Sequence, residues 1–258
     1  MTSFKRILSL AALMMLLVGS TAAADKNLFN HMSLGLNIGM NGVGIDMGLP
    51  MTNYFALRAG YNWFPKLKYS TPVDLKGTAV SGAQTWPDEI DVQGKLNLST
   101  AHALIDFYPS KEHGFHFTVG AYFGQKSIVD VYNKEPGALR DVYNYNHTAS
   151  GSPIGVSLGD YLLVPDSEGN VAADFRVSKV RPYMGIGFGH AVPKGRFTCQ
   201  FDLGVQFWNK PEVWVKGDNG EHPLEKQDMD NDSGKLLKFL SKLSVYPVLN
   251  LRIVGRLF

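Results

Sequence analysis

The chain has 258 residues with 25 basic and 23 acidic side chains; subtracting Lys5 and Arg6, the basic residues of its first 24 positions, leaves 23 of each sign. A balanced remainder argues against nucleic-acid binding, which draws its affinity from a basic surface. A single cysteine, Cys199, excludes an internal disulfide, and 27 glycines with 12% aromatics fit a tightly turned all-β protein better than a helical secreted enzyme.

Met1 to Ala24 has a basic start (Lys5, Arg6), an apolar run from Ile7 to Val18 and a small-residue exit at Ala22-Ala23-Ala24, the layout of a signal peptide cleaved after Ala24. Residues 25–258 then form one expected domain with no second long apolar run. Without a spanning helix, a chain crosses a membrane only as a closed barrel, because every backbone polar group must be paired inside the lipid. The test is segments of about ten residues with apolar groups at every second position.

Leu34, Leu36, Ile38 and Met40 alternate with Gly35, Asn37 and Gly39. Val43, Ile45, Met47 and Leu49 alternate with Gly44, Asp46 and Gly48. Phe55 to Trp63 continues the pattern with Arg58, Gly60 and Asn62 between apolar residues. From Ile90 to Tyr108 the apolar residues fall on even positions up to Leu98 and on odd ones from Ala101, which predicts a β-bulge near Ser99 to Ala101. Gly114 to Gly124, Tyr183 to Gly189, Arg196 to Phe207 and Ser244 to Phe258 complete the set. The expectation is an all-β, eight-stranded antiparallel transmembrane β-barrel, an up-and-down meander with both termini on the periplasmic side. Its turns at 49–53, 109–113 and 191–195 are short and its outward loops at 66–89, 133–179 and 217–243 long. Within the second long loop, Ile154 to Val164 and Val171 to Val177 predict a hairpin above the membrane, with a ten-stranded wall as the alternative.

Several stretches together resemble a family of small Gram-negative outer-membrane β-barrel proteins of largely unassigned function. They are Ser33 to Gly39, Ala56-Leu57-Arg58-Ala59-Gly60-Tyr61, Ala103-Leu104-Ile105-Asp106-Phe107-Tyr108-Pro109, Arg181 to Gly189 and Tyr246 to Phe258. The resemblance implies the barrel and the outer membrane of a Gram-negative bacterium but no catalytic residue. It departs in the last strand, where Arg252 and Arg256 share the phase of Phe258 and the apolar set is offset by one.

Eight strands enclose a lumen just wide enough for side chains to fill. Among its glycines stand Asp46, Arg58, Asp106, Asp202 and Arg252, a mixed-sign set suited to a salt-bridged plug rather than to a selective pore lined by one sign. A proton or small-ion path past Asp106 and Asp202 is the channel alternative. In the third long loop Leu236, Phe239, Leu240 and Leu243 fall at helical spacing, with Lys235, Lys238 and Lys242 placed as candidate lipopolysaccharide contacts.

Asp228 to Gly234 has the alternating carboxylates of a calcium loop, yet Ser233 stands where Gly is needed and Phe239 where a bidentate Glu is needed. No metal or cofactor is therefore expected. A lipid A-modifying enzyme would need a base beside a serine at leaflet height, and His147 with Ser150 is the nearest pair, in a polar loop. Tyr54, Tyr61, Trp63, Tyr108, Tyr122, Trp208 and Trp214 are expected as interfacial aromatic girdles. The functional expectation is a non-enzymatic barrel with a packed lumen, contributing to envelope structure or surface interaction. Its expected partners are outer-membrane lipid, lipopolysaccharide and, during insertion, the barrel-assembly machinery; the expected state is a monomer.

Overall fold

In a computed structural model, residues 31–76, 86–148, 153–158, 161–218, 220–223 and 244–257 are described. The signal segment 1–24, the calcium-like stretch 228–234, Ser150 and the lysines of 235–243 lie outside them.

Eight strands close an antiparallel barrel: β1 (Ser33–Gly39), β2 (Gly42–Pro50), β3 (Phe55–Trp63), β6 (Thr100–Phe107), β7 (His116–Gly124), β12 (Val180–Phe188), β13 (Phe197–Phe207) and β16 (Val245–Arg256). The wall closes where β1 pairs with β16, Ser33 opposite Arg256 and Gly39 opposite Asn250. The alternation read from the sequence is the alternation observed. Leu36, Ile38, Ile45, Val119, Met184, Leu203, Leu251 and Ile253 point outward and are exposed, while Asn37, Asp46, Thr118, Gln200 and Arg252 are buried inside. The last strand follows the same rule, so its offset has a simple cause: Arg252 is a lumen residue, and Leu249, Leu251 and Ile253 belong to the outer wall.

A second, eight-stranded sheet stands on the barrel. Its order is β10 (Tyr161–Leu163), β9 (Gly155–Leu158), β4 (Lys68–Lys76), β5 (Glu89–Leu96), β8 (Ser127–Asn133), β11 (Ala172–Arg176), β14 (Glu212–Gly217) and β15 (Gly220–Pro223). The middle of this order, β4-β5-β8-β11-β14, repeats the barrel order β3-β6-β7-β12-β13, because each of those barrel strands continues upward into its partner after a short break. Backbone hydrogen bonds hold the breaks together: Asn97 N–H donates to the Ile128 carbonyl (2.9 Å), Val177 N–H to Lys126 (2.8 Å) and Gly124 N–H to Lys179 (2.9 Å). We call this upper sheet, with the helix α1 (Arg140–Thr148) packed on it, the lobe.

The lobe has its own core. Ile90, Val92, Leu139, Val142, Ile154, Val156 and Leu163 are among the buried residues of one cluster, and Leu98, Ile128, Phe175, Trp208 and Val213 of a second one nearer the barrel.

Two expectations are corrected here. The polarity switch between Ile90 and Tyr108 is not an extra residue in this strand: the register does shift by one across the break, from Leu96 opposite Val129 to Thr100 opposite Gly124, but the irregularity falls on the neighbouring strand, where Ile128 is passed over in the pairing of β8 with β11. Even-numbered residues face inward throughout, as Ile90, Val92 and Leu98 in the lobe and as Thr100, His102 and Asp106 in the barrel. What inverts is the chemistry of the inner face, apolar in the lobe and polar where the outer wall is apolar. Secondly, residues 154–164 and 171–177 do not pair with one another. β9 forms a hairpin with β10 and joins the edge at β4, whereas β11 lies between β8 and β14. The helix expected at 235–243 in the third long loop lies outside the described residues; the described helix, α1, is an additional one in the second long loop. Leu139 and Val142 anchor it to the lobe core, both fully buried.

Candidate functional site

Inside the barrel, β3, β6, β7 and β13 bring four charged or polar groups to one level. Arg58 donates from Nη1 to Asp202 Oδ2 and from Nη2 to Asp106 Oδ1, both at 2.7 Å, and Thr118 Oγ1 donates to the same Asp106 oxygen at 2.8 Å. β1, β2, β13 and β16 supply a second cluster. Arg252 Nε donates to Asp46 Oδ1 at 2.5 Å and Nη1 to Gln200 Oε1 at 2.8 Å, while Asn37 Nδ2 donates to Asp46 Oδ2 at 3.0 Å.

His116 joins the clusters. Its Nδ1 lies 2.9 Å from the Gly114 carbonyl oxygen, and its Nε2 lies 3.0 Å from both Asp202 Oδ1 and the Gln200 amide nitrogen. Arg58, Asp106, Asp202, Asp46 and Arg252 are each at most 3% exposed. The five lumen residues expected from the sequence therefore do meet, as two clusters bridged by His116 and Gln200. Several inward glycines make the room. A Cβ at Gly35 would collide with the Arg252 guanidinium, and one at Gly187 with His116 and Asp202.

Both ends of the lumen are filled. Above the charges Leu104, Tyr122, Tyr183 and Val248 pack together. Higher still, Trp208 stacks on Tyr246 with centroids 4.5 Å apart, and Trp208 Nε1 donates to Gln206 Oε1 at 3.1 Å. Below, the turn between β12 and β13 folds under the barrel. Ala191 N–H donates to Tyr108 Oη (2.8 Å), and the Ala191 carbonyl accepts from Ser33 Oγ (2.6 Å) and Arg252 Nη1 (3.2 Å). Tyr108, Tyr122 and Trp208 are thus interior residues rather than girdle residues, because each spends its polar atom or its ring on filling the bore. Tyr54, Tyr61 and Trp63 are exposed as expected, and Trp214 lies in the lobe beneath the Arg176 guanidinium, 4.7 Å from its ring.

The outer face of the lobe is polar and cross-linked. Arg176 donates to Asp174 (2.6 Å) and Glu221 (2.7 Å), and Tyr132 Oη donates to Gln93 Oε1 (2.7 Å). Burial lowers the affinity of Arg176 for its proton, but the hydrogen bonds to Asp174 and Glu221 outweigh it and hold the guanidinium above its ordinary value. Asp218 clamps two turns together, accepting from Ser167 N–H at 2.9 Å and Ser167 Oγ at 2.8 Å. The backbone N–H, then the hydroxyl of Ser167, hold its carboxyl below the usual carboxylate range.

His147 ends α1, its ring 4.0 Å from that of Tyr143. Ser110 Oγ and His113 Nδ1 are 3.2 Å apart in an exposed turn at the opposite end from the lobe. Among the described residues no group of three or more His, Cys, Asp or Glu side chains is placed to hold a metal ion.

These features define a class: a small closed β-barrel with an apolar outer wall, a filled polar interior and a folded lobe at one end. Two solved structures similar to this chain are CarO2 and CarO of Acinetobacter baumannii. CarO2 has 15% identity and a TM-score of 0.47 over 88% of this chain and 98% of its own, and CarO 13% and 0.43 over 86% and 96%. No family model and no curated protein matches the chain.

Proposed function

We propose that this protein is an integral outer-membrane barrel whose lumen is closed by its own side chains, and that its function is non-enzymatic and resides in the lobe, as envelope structure or surface interaction. The observation that carries the membrane reading is the continuous outer wall of exposed large apolar residues around all eight strands, from Leu36 and Ile45 to Leu251 and Ile253. Monomeric soluble proteins rarely expose contiguous apolar patches of this extent. Tyr54, Phe188 and Phe197 at one end and Tyr61, Trp63 and Phe123 at the other are exposed aromatics placed as girdles are. Closure of the wall within one chain leaves it no open edge, which supports a monomer.

The closed-lumen reading rests on opposite charges paired within a bore narrow enough to be filled, an arrangement unlike the like-charged rings of selective pores. Planar-bilayer recording of the refolded barrel tests it, with heat-modifiable gel migration confirming the fold. The expected result is no stable conductance. Stable conductance altered by Asp106→Ala and Asp202→Ala would overturn the reading and make the protein a channel.

A further inference from the structure

We propose that the neck between barrel and lobe carries a binding site for the phosphate of an anionic membrane lipid, built by Lys126 and Lys210 above the apolar rim of β7, β12 and β13, with the buried, carbonyl-anchored Arg181 adding positive charge from behind. The site rests on the membrane reading above. It is a cleft of about 230 Å³ at the three breaks where these strands leave the barrel for the lobe, and Lys126, Ser178, Asn209 and Lys210 are among its lining residues. Asn209 has φ 66°, the left-handed turn that lets the chain leave β13 and re-enter the lobe as β14.

The charge of the cleft favours an anion. Lys126 and Lys210 are exposed, and neither forms an ion pair with a carboxylate among the described residues. Arg176 also lines the cleft but is neutralised by Asp174 and Glu221. The one carboxylate in the lining, Glu212, accepts from Trp214 Nε1 at 3.0 Å.

Behind the cleft stands an independent cation. Arg181 is 1% exposed, and its guanidinium meets only neutral partners: the Ser178 carbonyl (3.1 Å), the Gln125 carbonyl (2.8 Å) and the Trp208 ring (5.5 Å). This buried charge has no described counter-ion and lies on the inner side of the strands that carry the cleft, held by the carbonyls of Ser178, which lines it, and of Gln125, next to Lys126.

What makes the anion a lipid is the wall below. Val180 pairs with Phe123 and Phe207 with Val245 at the upper ends of the strands. All four are exposed to between 38% and 44%. An amphiphile with its acyl chains along these residues presents its headgroup at the level of the two lysines, where apolar contact and charge attraction act together. Free phosphate meets the same charges without the wall.

The test uses the full mature chain refolded in detergent, first shown to be heat-modifiable and to float with liposomes. Native mass spectrometry then follows titration with bisphosphorylated lipid A, dephosphorylated lipid A and inorganic phosphate. Bisphosphorylated lipid A should bind at least about tenfold more tightly than either of the others. Lys126→Gln/Lys210→Gln should abolish that preference, Lys126→Arg/Lys210→Arg should retain it, and Lys134→Gln, elsewhere on the lobe, should leave it unchanged. Equal binding of the two lipids, or an unchanged preference in the double glutamine variant, overturns the site while the membrane reading stands. Inorganic phosphate binding as tightly as the phosphorylated lipid overturns the lipid and leaves a phosphate site. A folded protein that does not float overturns the membrane reading, and the site with it.

Discussion

The barrel and the lobe share five continuing strands yet are built inside out with respect to each other. In β5, Ile90 and Val92 turn inward to an apolar core; eight to sixteen residues further along the same face of the same chain, Thr100, His102 and Asp106 turn inward to a polar one. On the proposed membrane reading, solvent explains the inversion. Where water surrounds the sheet, stability comes from gathering apolar surface inside, and where lipid is taken to surround it, apolar surface gains nothing by being inside and the polar groups must find one another. The two regions should therefore fail differently when their interiors are disturbed.

The largest difference is expected at Arg58. Removing it leaves Asp106 and Asp202 buried beside each other without their cation, and loss of one partner from a buried ion pair costs about 3–5 kcal/mol. Arg58→Ala should lower the urea midpoint of the barrel, read from the intrinsic fluorescence and the unfolded gel band. Removing the exposed Lys134 from its Asp91 partner in the lobe should leave the midpoint unchanged. Equal effects would break the comparison.

Next is the lobe core. Leu139 is fully buried against the sheet, and Leu139→Ala should cost about 2–5 kcal/mol of lobe stability through the cavity it leaves. The damage should stay above the neck: limited proteolysis should cut the lobe faster while the barrel keeps its heat-modifiable migration. Loss of both together would show that the lobe and barrel fold as one cooperative unit.

On the outer wall, a charge placed at Ile45 should cost about 2–4 kcal/mol, the penalty for a cation on the lipid face near the bilayer midplane. Asn144→Lys, on the exposed face of α1 in the lobe, should cost nothing measurable. If Ile45→Lys is as silent as Asn144→Lys in liposome-refolded protein, the outer wall does not face lipid.

The sequence was most legible where one face of each strand met a uniform medium. The outward runs through Leu34 to Ile38 and Phe197 to Phe207 needed only their period, and the period also set Asp46, Arg58, Asp106, Asp202 and Arg252 on the inner face. That His116 and Gln200 bridge the two clusters was hidden, because both stood in the alternation as ordinary polar positions and only the strand order β7-β12-β13-β16 brings His116, Asp202, Gln200 and Arg252 together. The signal for the lobe was present in the parity of Ile90 to Asp106, where inward positions keep their number and change their chemistry. A bulge explains a polarity switch by moving the backbone. A change of surrounding medium explains the same switch with the backbone unmoved, and single-strand patterns do not separate the two. Helix α1 was missed because only Val142 buries on it, with Leu139 just before it, too few to make an apolar stripe.

The smallest expected effect concerns the clamp between the lobe's turns. Asp218 is ionised more readily in the folded lobe than in the unfolded chain, since only there do the Ser167 N–H and hydroxyl stabilise its charge. A carboxyl with a depressed folded value stabilises the fold at pH above the unfolded value of about 4, and that contribution is lost as pH falls through the folded value. Acidification from neutral should therefore loosen the 164–171 turn and its tie to Asp218 before it disturbs α1. Other carboxylates titrate over the same range, so the measurement is the difference between the wild type and Asp218→Asn in hydrogen exchange at Ser167 and Gly169. The gap should be widest at neutral pH and close below about pH 4. A gap that stays constant with pH would mean that the clamp acts through its shape rather than its charge.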